Sequence, residues 1–375
     1  MYAWTLAQTA AGPLAQLGYI FYFILLPMLL LAGIGFGLQR KLGLDLPTLT
    51  RLNFYLVIPA AVYTSIIESR LSAGDVGQVV LFAVVFLATM TALSWLLAVI
   101  RRVPPGQRPC LLMTGMFGNT GNYGLPLQDL AFRGAGACET AVSLQAVFMI
   151  VGNVANFTVG ILLAARGGSA DRHWKQNLLH IAKLPPLYAL AAGVITVQVR
   201  SLLGDGAPAT AEAIQPFWDV VSYIRGGFVA VALVTLGAQL GSVRPAEAKY
   251  PIGLSVILRL LIAPAAGLAL VLLLGIEGFL AQVMVIACCT PTAVNVLLLC
   301  MEFDNYPDYA ARAVFYSSLL SPLTVAAVVF FAQGGFVPAL QRPAAPGAAT
   351  APAVTAPAPG ETDPQDIPSF DATAP

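Results

Sequence analysis

The chain has 375 residues, of which 58% are hydrophobic and only 10% charged, with a net charge of +1. An ordinary soluble domain carries roughly 25% charged residues, so this composition predicts an integral membrane protein. Near-neutral charge excludes the basic face that nucleic-acid binding needs. Neither a metal site nor a cofactor is expected: the cysteines show no Cys-x-x-Cys spacing, and His173 and His180 share one polar loop.

A helix needs about 20 apolar residues to cross a bilayer. Ten such stretches follow one another, at 15–38, 48–67, 77–100, 109–131, 140–165, 184–203, 217–240, 250–274, 279–300 and 311–333. No Lys or Arg precedes the first, so it lacks the charged region of a cleaved signal peptide. With the N-terminus outside, thirteen of the nineteen basic residues fall on the inner side, four on the outer side, and Arg225 and Arg259 lie within spans. That bias follows the positive-inside rule and predicts both termini outside. The segment "EFDNYPD" (302–308) is acidic yet inner, but acidic residues contribute little to the rule. From about 336 the chain turns Pro/Ala/Thr-rich, with too little apolar surface to offset ordering entropy, so 336–375 reads as a disordered tail.

The spans divide five and five around the basic loop 166–183, giving a first unit at 1–165 and a second at 184–335. An odd number of spans in each half makes any repeat inverted in the membrane, a plan common among secondary transporters. The plan demands interruptions at matching places, and the sequence has them. The fourth span holds "GNTGNYGLPL" (118–127) and the ninth "CCTPTAVN" (288–295), which puts Pro126 and Pro291 at corresponding positions. Pro27, Pro59, Pro264 and Pro322 show that proline alone is no signal. Here, however, the breaks come with the amides Asn119, Asn122 and Asn295, costly to bury without a role. A break at the midplane frees backbone N–H groups at the start of the second half-helix, where the dipole favours an anion. Two crossed breaks would gather such ends at one point, with asparagines placed to donate to a carboxylate. Substrate-binding residues are therefore expected at Asn119, Asn122, Pro126, Pro291 and Asn295, with Thr120 beside them.

Other polar residues within spans admit two readings each. Asn153 and Asn156 in "GNVANF" share a helix face, and Gln145 lies two turns earlier; all three fit helix–helix hydrogen bonding or support of a site. Arg259 lies about 15 Å into its span; it either attracts an anion, snorkels to the surface or pairs within the protein. Gly33, Gly35 and Gly37 read as packing glycines. No Asp or Glu sits in the middle of a span, while Asp129 and Glu139 flank the outer ends of spans four and five. A carboxylate relay for protons or sodium is thus not visible, which predicts uniport or transport driven by membrane potential.

At these residues the chain resembles the auxin efflux carrier family, in its short-looped bacterial form. The resemblance rests on "NTGNYGLP" in span four (Asn119, Thr120, Gly124, Pro126) and on "TPTAVNVLLLCMEFDNYPDYA" across span nine (Pro291, Glu302, Phe303, Pro307, Asp308). "LRLLIAP" in span eight and "VFYSSLLSPLT" in span ten are also similar, so it covers about 15–333. It implies an all-α membrane fold of ten helices in two inverted five-helix repeats, with helices four and nine broken and crossed, as in the bile-acid symporters. Spans one, two, six and seven would form a scaffold, sometimes dimeric, against which the others slide as an elevator. The implied substrates are organic anions, either auxin-like acids or dicarboxylates such as malate and malonate, held near Asn119 and the crossing. Span seven lacks the proline frequent in the family ("FVAVALVTLG", 228–237), and "GNTGN" is richer in glycine than the plant pattern.

Three other classes are weighed against this one. An enzyme would need titratable groups at reacting distance within the spans, and the sequence offers none. A sodium-coupled symporter of the bile-acid type shares the inverted plan and would show sodium dependence. A receptor of the same fold would bind ligand without net flux.

Overall fold

A computed structural model describes residues 12–69, 71–167, 185–203, 208–243 and 250–341. The loop with His173 and His180 and the tail from 342 lie outside these residues. The described chain is helical, and its nearest approach to a strand is one isolated backbone bridge. Among the described residues five helices are long and apolar enough to cross a membrane, or six if one bent pair is counted as a single span. Leu30, Ile34, Leu81, Val84, Leu273 and Leu323 point outward from them, exposed. That surface suits hydrocarbon and not water, so the molecule is a multi-pass membrane protein.

In chain order the helices are α1 (Pro13–Leu42), α2 (46–68), α3 (Ala73–Ile100), α4 (Arg108–Met116), α5 (Leu125–Arg133), α6 (Cys138–Arg166), α7 (Pro185–Leu203), α8 (Pro208–Gly226), α9 (Phe228–Ser242), α10 (Pro251–Leu273), α11 (Gly278–Cys288), α12 (Val294–Glu302), α13 (Pro307–Gln333) and α14 (Pro338–Gln341). The pairs α4/α5 and α11/α12 are the two interrupted spans. The stretch 217–240, expected as one span, bends by 40° between α8 and α9 at the Gly226–Gly227 step, where two successive glycines weaken the helix. The first residues of the expected tail are also structured: α14 docks on α11, with Leu340 buried and its carbonyl accepting from the Gln282 amide at 2.8 Å.

Four prolines share one local device. Pro27, Pro59, Pro126 and Pro264 each stand second in an α-helical segment that follows a π-helical turn, at Ile20–Leu25, Asn53–Val57, Thr120–Gly124 and Leu258–Ile262. Proline removes one helix donor and its ring clashes with the carbonyl a turn back. Widening that turn relieves the clash without stopping the helix. The widened turns carry Asn53, Thr120 and Arg259, so a backbone adjustment for proline also sets the direction of polar side chains.

The helices sort into two packed groups. α1 lies along α9 and α2 along α7, with α8 against α2. Close approach of α1 and α9 depends on two glycines: a Cβ on Gly35 would stand 2.1 Å from the Val234 carbonyl oxygen, and one on Gly237 1.9 Å from that of Ala32. Gly33 and Gly37 face open space and have no such role. The second group comprises α3–α6 and α10–α13, around a core that includes Phe82, Phe86, Phe132, Met113 and Val283. α1, α2 and α9 meet the second group, α1 at α13 and α5, α2 at α6, and α9 at the turn leading into α5.

Candidate functional site

The two interruptions bind each other. Between α4 and α5 the chain runs extended through Phe117–Asn119, and between α11 and α12 through Pro291–Ala293. The Asn119 N–H donates to the Pro291 carbonyl at 2.7 Å and the Ala293 N–H to the Phe117 carbonyl at 3.0 Å, with Gly118 opposite Thr292. The Thr292 N–H donates to Ser317 Oγ of α13. Backbone groups freed by each break are therefore satisfied largely by the other, which resolves the cost of irregular backbone inside a membrane. Pro126 lies just after the widened turn Thr120–Gly124, which accommodates its missing N–H and its ring. The residues of the crossing itself are Phe117–Asn119 and Pro291–Ala293.

Arg259 is brought to this point by α10. It is 1% exposed and does not snorkel. Its Nε and Nη2 donate to the Thr290 carbonyl at 3.2 and 2.7 Å, and Nη2 also reaches Thr290 Oγ1. Nη1 is buried without an acceptor. Among the described residues no carboxylate pairs with this guanidinium. Gly118 makes the fit possible, because a Cβ there would stand 2.3 Å from Nη2.

Beside the guanidinium opens a cavity of about 80 Å³. Asn119, Asn122, Thr120, Asn153, Asn156, Asn295 and Arg259 all line it, whereas Pro126, Pro291 and Gln145 do not. Asn119 Nδ2 and Asn156 Oδ1 are buried with no partner, so the wall presents unmet donors and an unmet acceptor. Gln145 braces the break instead: its amide donates to the Thr120 carbonyl at 3.0 Å and accepts from Gln128. That brace needs Gly124, whose Cβ would stand 2.4 Å from the Gln145 nitrogen. Phe86, Phe117, Phe148 and Met149 form an apolar side.

Asn122 faces the other helix group. Its Oδ1 accepts from Asn53 of α2 at 2.9 Å, and its Nδ2 reaches Gln239 of α9, which donates on to Thr50. Asn53, Thr50 and Gln239 were not anticipated from sequence. Gln239 gave a readable signal as the one amide in the α9 stretch, whereas Asn53 and Thr50 lie at the polar start of α2 and stand out only through their partner.

A second polar cluster joins the groups elsewhere. Arg225, at the end of α8, donates to Asp129 of α5 and to Glu139 of α6, each at 2.7 Å. Arg133 pairs with Asp129, and Ser65 of α2 donates to Glu139 at 2.6 Å. Glu68, at the last turn of α2, has its carboxyl raised by burial and by Glu139, with Arg225 opposing. Asp129, Glu139 and Cys138 lie close enough together to suggest a cation site, but the Arg225 guanidinium already occupies both carboxylates. All five cysteines are free, Cys110 and Cys300 with their sulfurs 3.8 Å apart.

Comparison with known proteins agrees with this architecture. The family model described as "Membrane transport protein" matches residues 20–329. The chain belongs to this family, that of the auxin efflux carriers. It is 27% identical over 284 residues to an "Uncharacterized transporter" of Methanothermobacter thermautotrophicus, covering 74% of this chain and 86% of the relative. It is 28% identical over 235 residues to a "Putative malonate transporter" of Rhizobium meliloti, covering 60% and 69%. A further "Uncharacterized transporter", of Methanocaldococcus jannaschii, is 23% identical over 285 residues. The family and these names place the chain among transporters.

Proposed function

We propose that this family member carries small organic acid anions across the cell membrane, holding the carboxylate between Arg259, Asn119 and Asn295 at the crossing of the broken spans. The observation that carries the reading is the Arg259 guanidinium, fully buried beside a cavity with no carboxylate partner among the described residues. An uncompensated buried charge is costly, and an anionic substrate would supply the missing partner. The first turns of α12 and of the segment entering α5 border the same cavity. A short acid such as malonate, named for one relative, suits a site with this chemistry.

In this reading α1–α6 and α7–α13 supply five spans each, inverted with respect to one another, with both termini outside. α1, α2 and α7–α9 form the scaffold, and the other group moves against it as an elevator. Asn53 and Gln239 then hold Asn122 in one end state. With that orientation the cavity, lined by Thr50 near the start of α2 and Gln239 near the end of α9, lies toward the inner side.

Thermal stability of the purified protein against a panel of mono- and dicarboxylates, malonate and indole-3-acetate included, tests the proposal. A ligand at about 100 times its Kd adds about 2.7 kcal/mol to the folded state. A shift that disappears in Asn295→Ala places the site at the crossing; equal shifts in wild type and mutant remove it. Net flux in liposomes then separates carrier from receptor, and a sodium requirement would move the assignment to a coupled symporter.

A further inference from the structure

The cavity holds one ionisable side chain among the described residues. Of the residues lining it, Arg259 alone carries a charge, and the rest are amides, hydroxyls, apolar groups and glycine. Four half-helix ends meet at the crossing beside it: the C-terminal ends of α4 and α11 and the N-terminal ends of α12 and the turn into α5. A helix end carries about half an elementary charge, positive at the N-terminus and negative at the C-terminus. Two of each sign cancel, so the net field of the site is that of one guanidinium.

Resting on the anion reading above, we infer that the site takes a single negative charge, and that a dicarboxylate enters in its singly protonated form. One carboxylate balances Arg259. A second ionised carboxylate would be buried against neutral amides, which can hydrogen-bond but cannot neutralise it. A protonated carboxyl meets no such penalty, and Asn156 Oδ1, a buried acceptor with no donor, offers a place for its O–H. The proton is taken from water with the substrate on the loading side and dissociates from the second carboxyl into water on release. Proton movement then needs no acidic residue at the crossing, where none of the described residues lining the cavity is Asp or Glu. The loaded site is neutral and the empty site keeps the charge of Arg259, so membrane potential acts on the return of the empty carrier.

Malonate and its monomethyl ester separate these ideas, because the ester is fixed as a monoanion. Affinity of the purified full chain for each is measured across the second ionisation of malonate, and luminal pH is followed during uptake into liposomes. The ester should bind with a flat pH profile. Malonate affinity should fall about tenfold per pH unit above its second pKa, and malonate uptake, but not ester uptake, should acidify the lumen. A flat malonate profile, or tighter binding of the dianion than of the ester, overturns charge matching while leaving the anion site standing. Binding of the ester by Arg259→Gln as by wild type, or no binding of either acid, removes the site on which the inference rests.

Discussion

Two arginines set within this helical bundle have opposite surroundings. Arg225 is held by Asp129 and Glu139, each at 2.7 Å, with Arg133 completing a cluster of two cations and two anions. Arg259 is more deeply buried, yet it touches only the carbonyl and hydroxyl of Thr290 and leaves one nitrogen without an acceptor. The first is a closed electrostatic contact that joins α8 to α5 and α6, across the two helix groups. The second is an open one. A buried charge that the fold itself neutralises holds structure together, and one that it leaves exposed to a cavity is available to a ligand.

The largest effect should come from opening the closed contact. Removing one member of a buried ion pair leaves the others uncompensated and costs about 3–5 kcal/mol. Arg225 is partly exposed, so Arg225→Gln should lose about 3 kcal/mol, read as a lowered thermal midpoint in detergent. Adding Asp129→Asn and Glu139→Gln to it should restore part of the loss, because the stranded charges go too. A triple variant as unstable as the single one would show that the cluster acts through packing and not through charge.

Arg259→Gln should do the reverse. Stability is expected to stay level or rise, since an unpaired buried charge is removed. Binding of a carboxylate should weaken by about 2–3 kcal/mol, the contribution of hydrogen bonds to a charged group, or roughly 30- to 150-fold in Kd. Calorimetric titration with the acid found in the stability panel checks it. A variant that loses stability and keeps affinity would make Arg259 a cap on the C-terminal end of α11 and nothing more.

What the sequence made legible follows from the reach of each interaction. The apolar stretches and the two Gly/Asn/Pro interruptions are local patterns, so the helical membrane fold and the position of the breaks could be read directly. The prolines misled about detail. Pro126 and Pro291 mark interrupted spans, but the extended segments that pair are set by Gly118 and Thr292, two positions whose fit depends on a partner 174 residues away. Arg259 could be placed on its span, while its burial depends on the widened turn before Pro264 and on the missing side chain of Gly118. The partners of Arg225 lie 96 and 86 residues distant, on α5 and α6. Pairings at that separation leave no period or spacing to detect.

Glycine substitutions sharpen the contrast at a smaller scale. Gly118→Ala would drive a methyl to 2.3 Å from Arg259 Nη2 and 2.4 Å from Thr290 Oγ1. Overpacking of this kind costs about 1–3 kcal/mol, and it displaces the guanidinium from its acceptor, so affinity should fall about tenfold. Gly33→Ala on α1 meets nothing within 4 Å and should change stability by less than about 0.5 kcal/mol. Equal behaviour of the two variants would mean that the crossing relaxes around the added methyl.

The smallest effect belongs to Glu68, which competes for the same closed cluster. Burial and the neighbouring Glu139 raise its carboxyl above the ordinary value, and Arg225, already bound to two carboxylates, only partly opposes them. A carboxyl raised in the folded state holds its proton more tightly there than in the unfolded chain. Below the usual carboxylate range both states are protonated and the group has no effect. As pH rises through that range, the unfolded state ionises first, so stability contributed by the proton is lost and the carboxylate becomes a net cost. Glu68→Gln should therefore match wild type in acid and become slightly more stable as pH approaches neutrality, a shift kept small by the exposure of the side chain. In an Arg225→Gln background the gain should grow, because the opposing cation is gone. Thermal midpoints of the four proteins across that range measure it. A gain that does not depend on Arg225 would separate Glu68 from the cluster and leave the arginine with its two carboxylates alone.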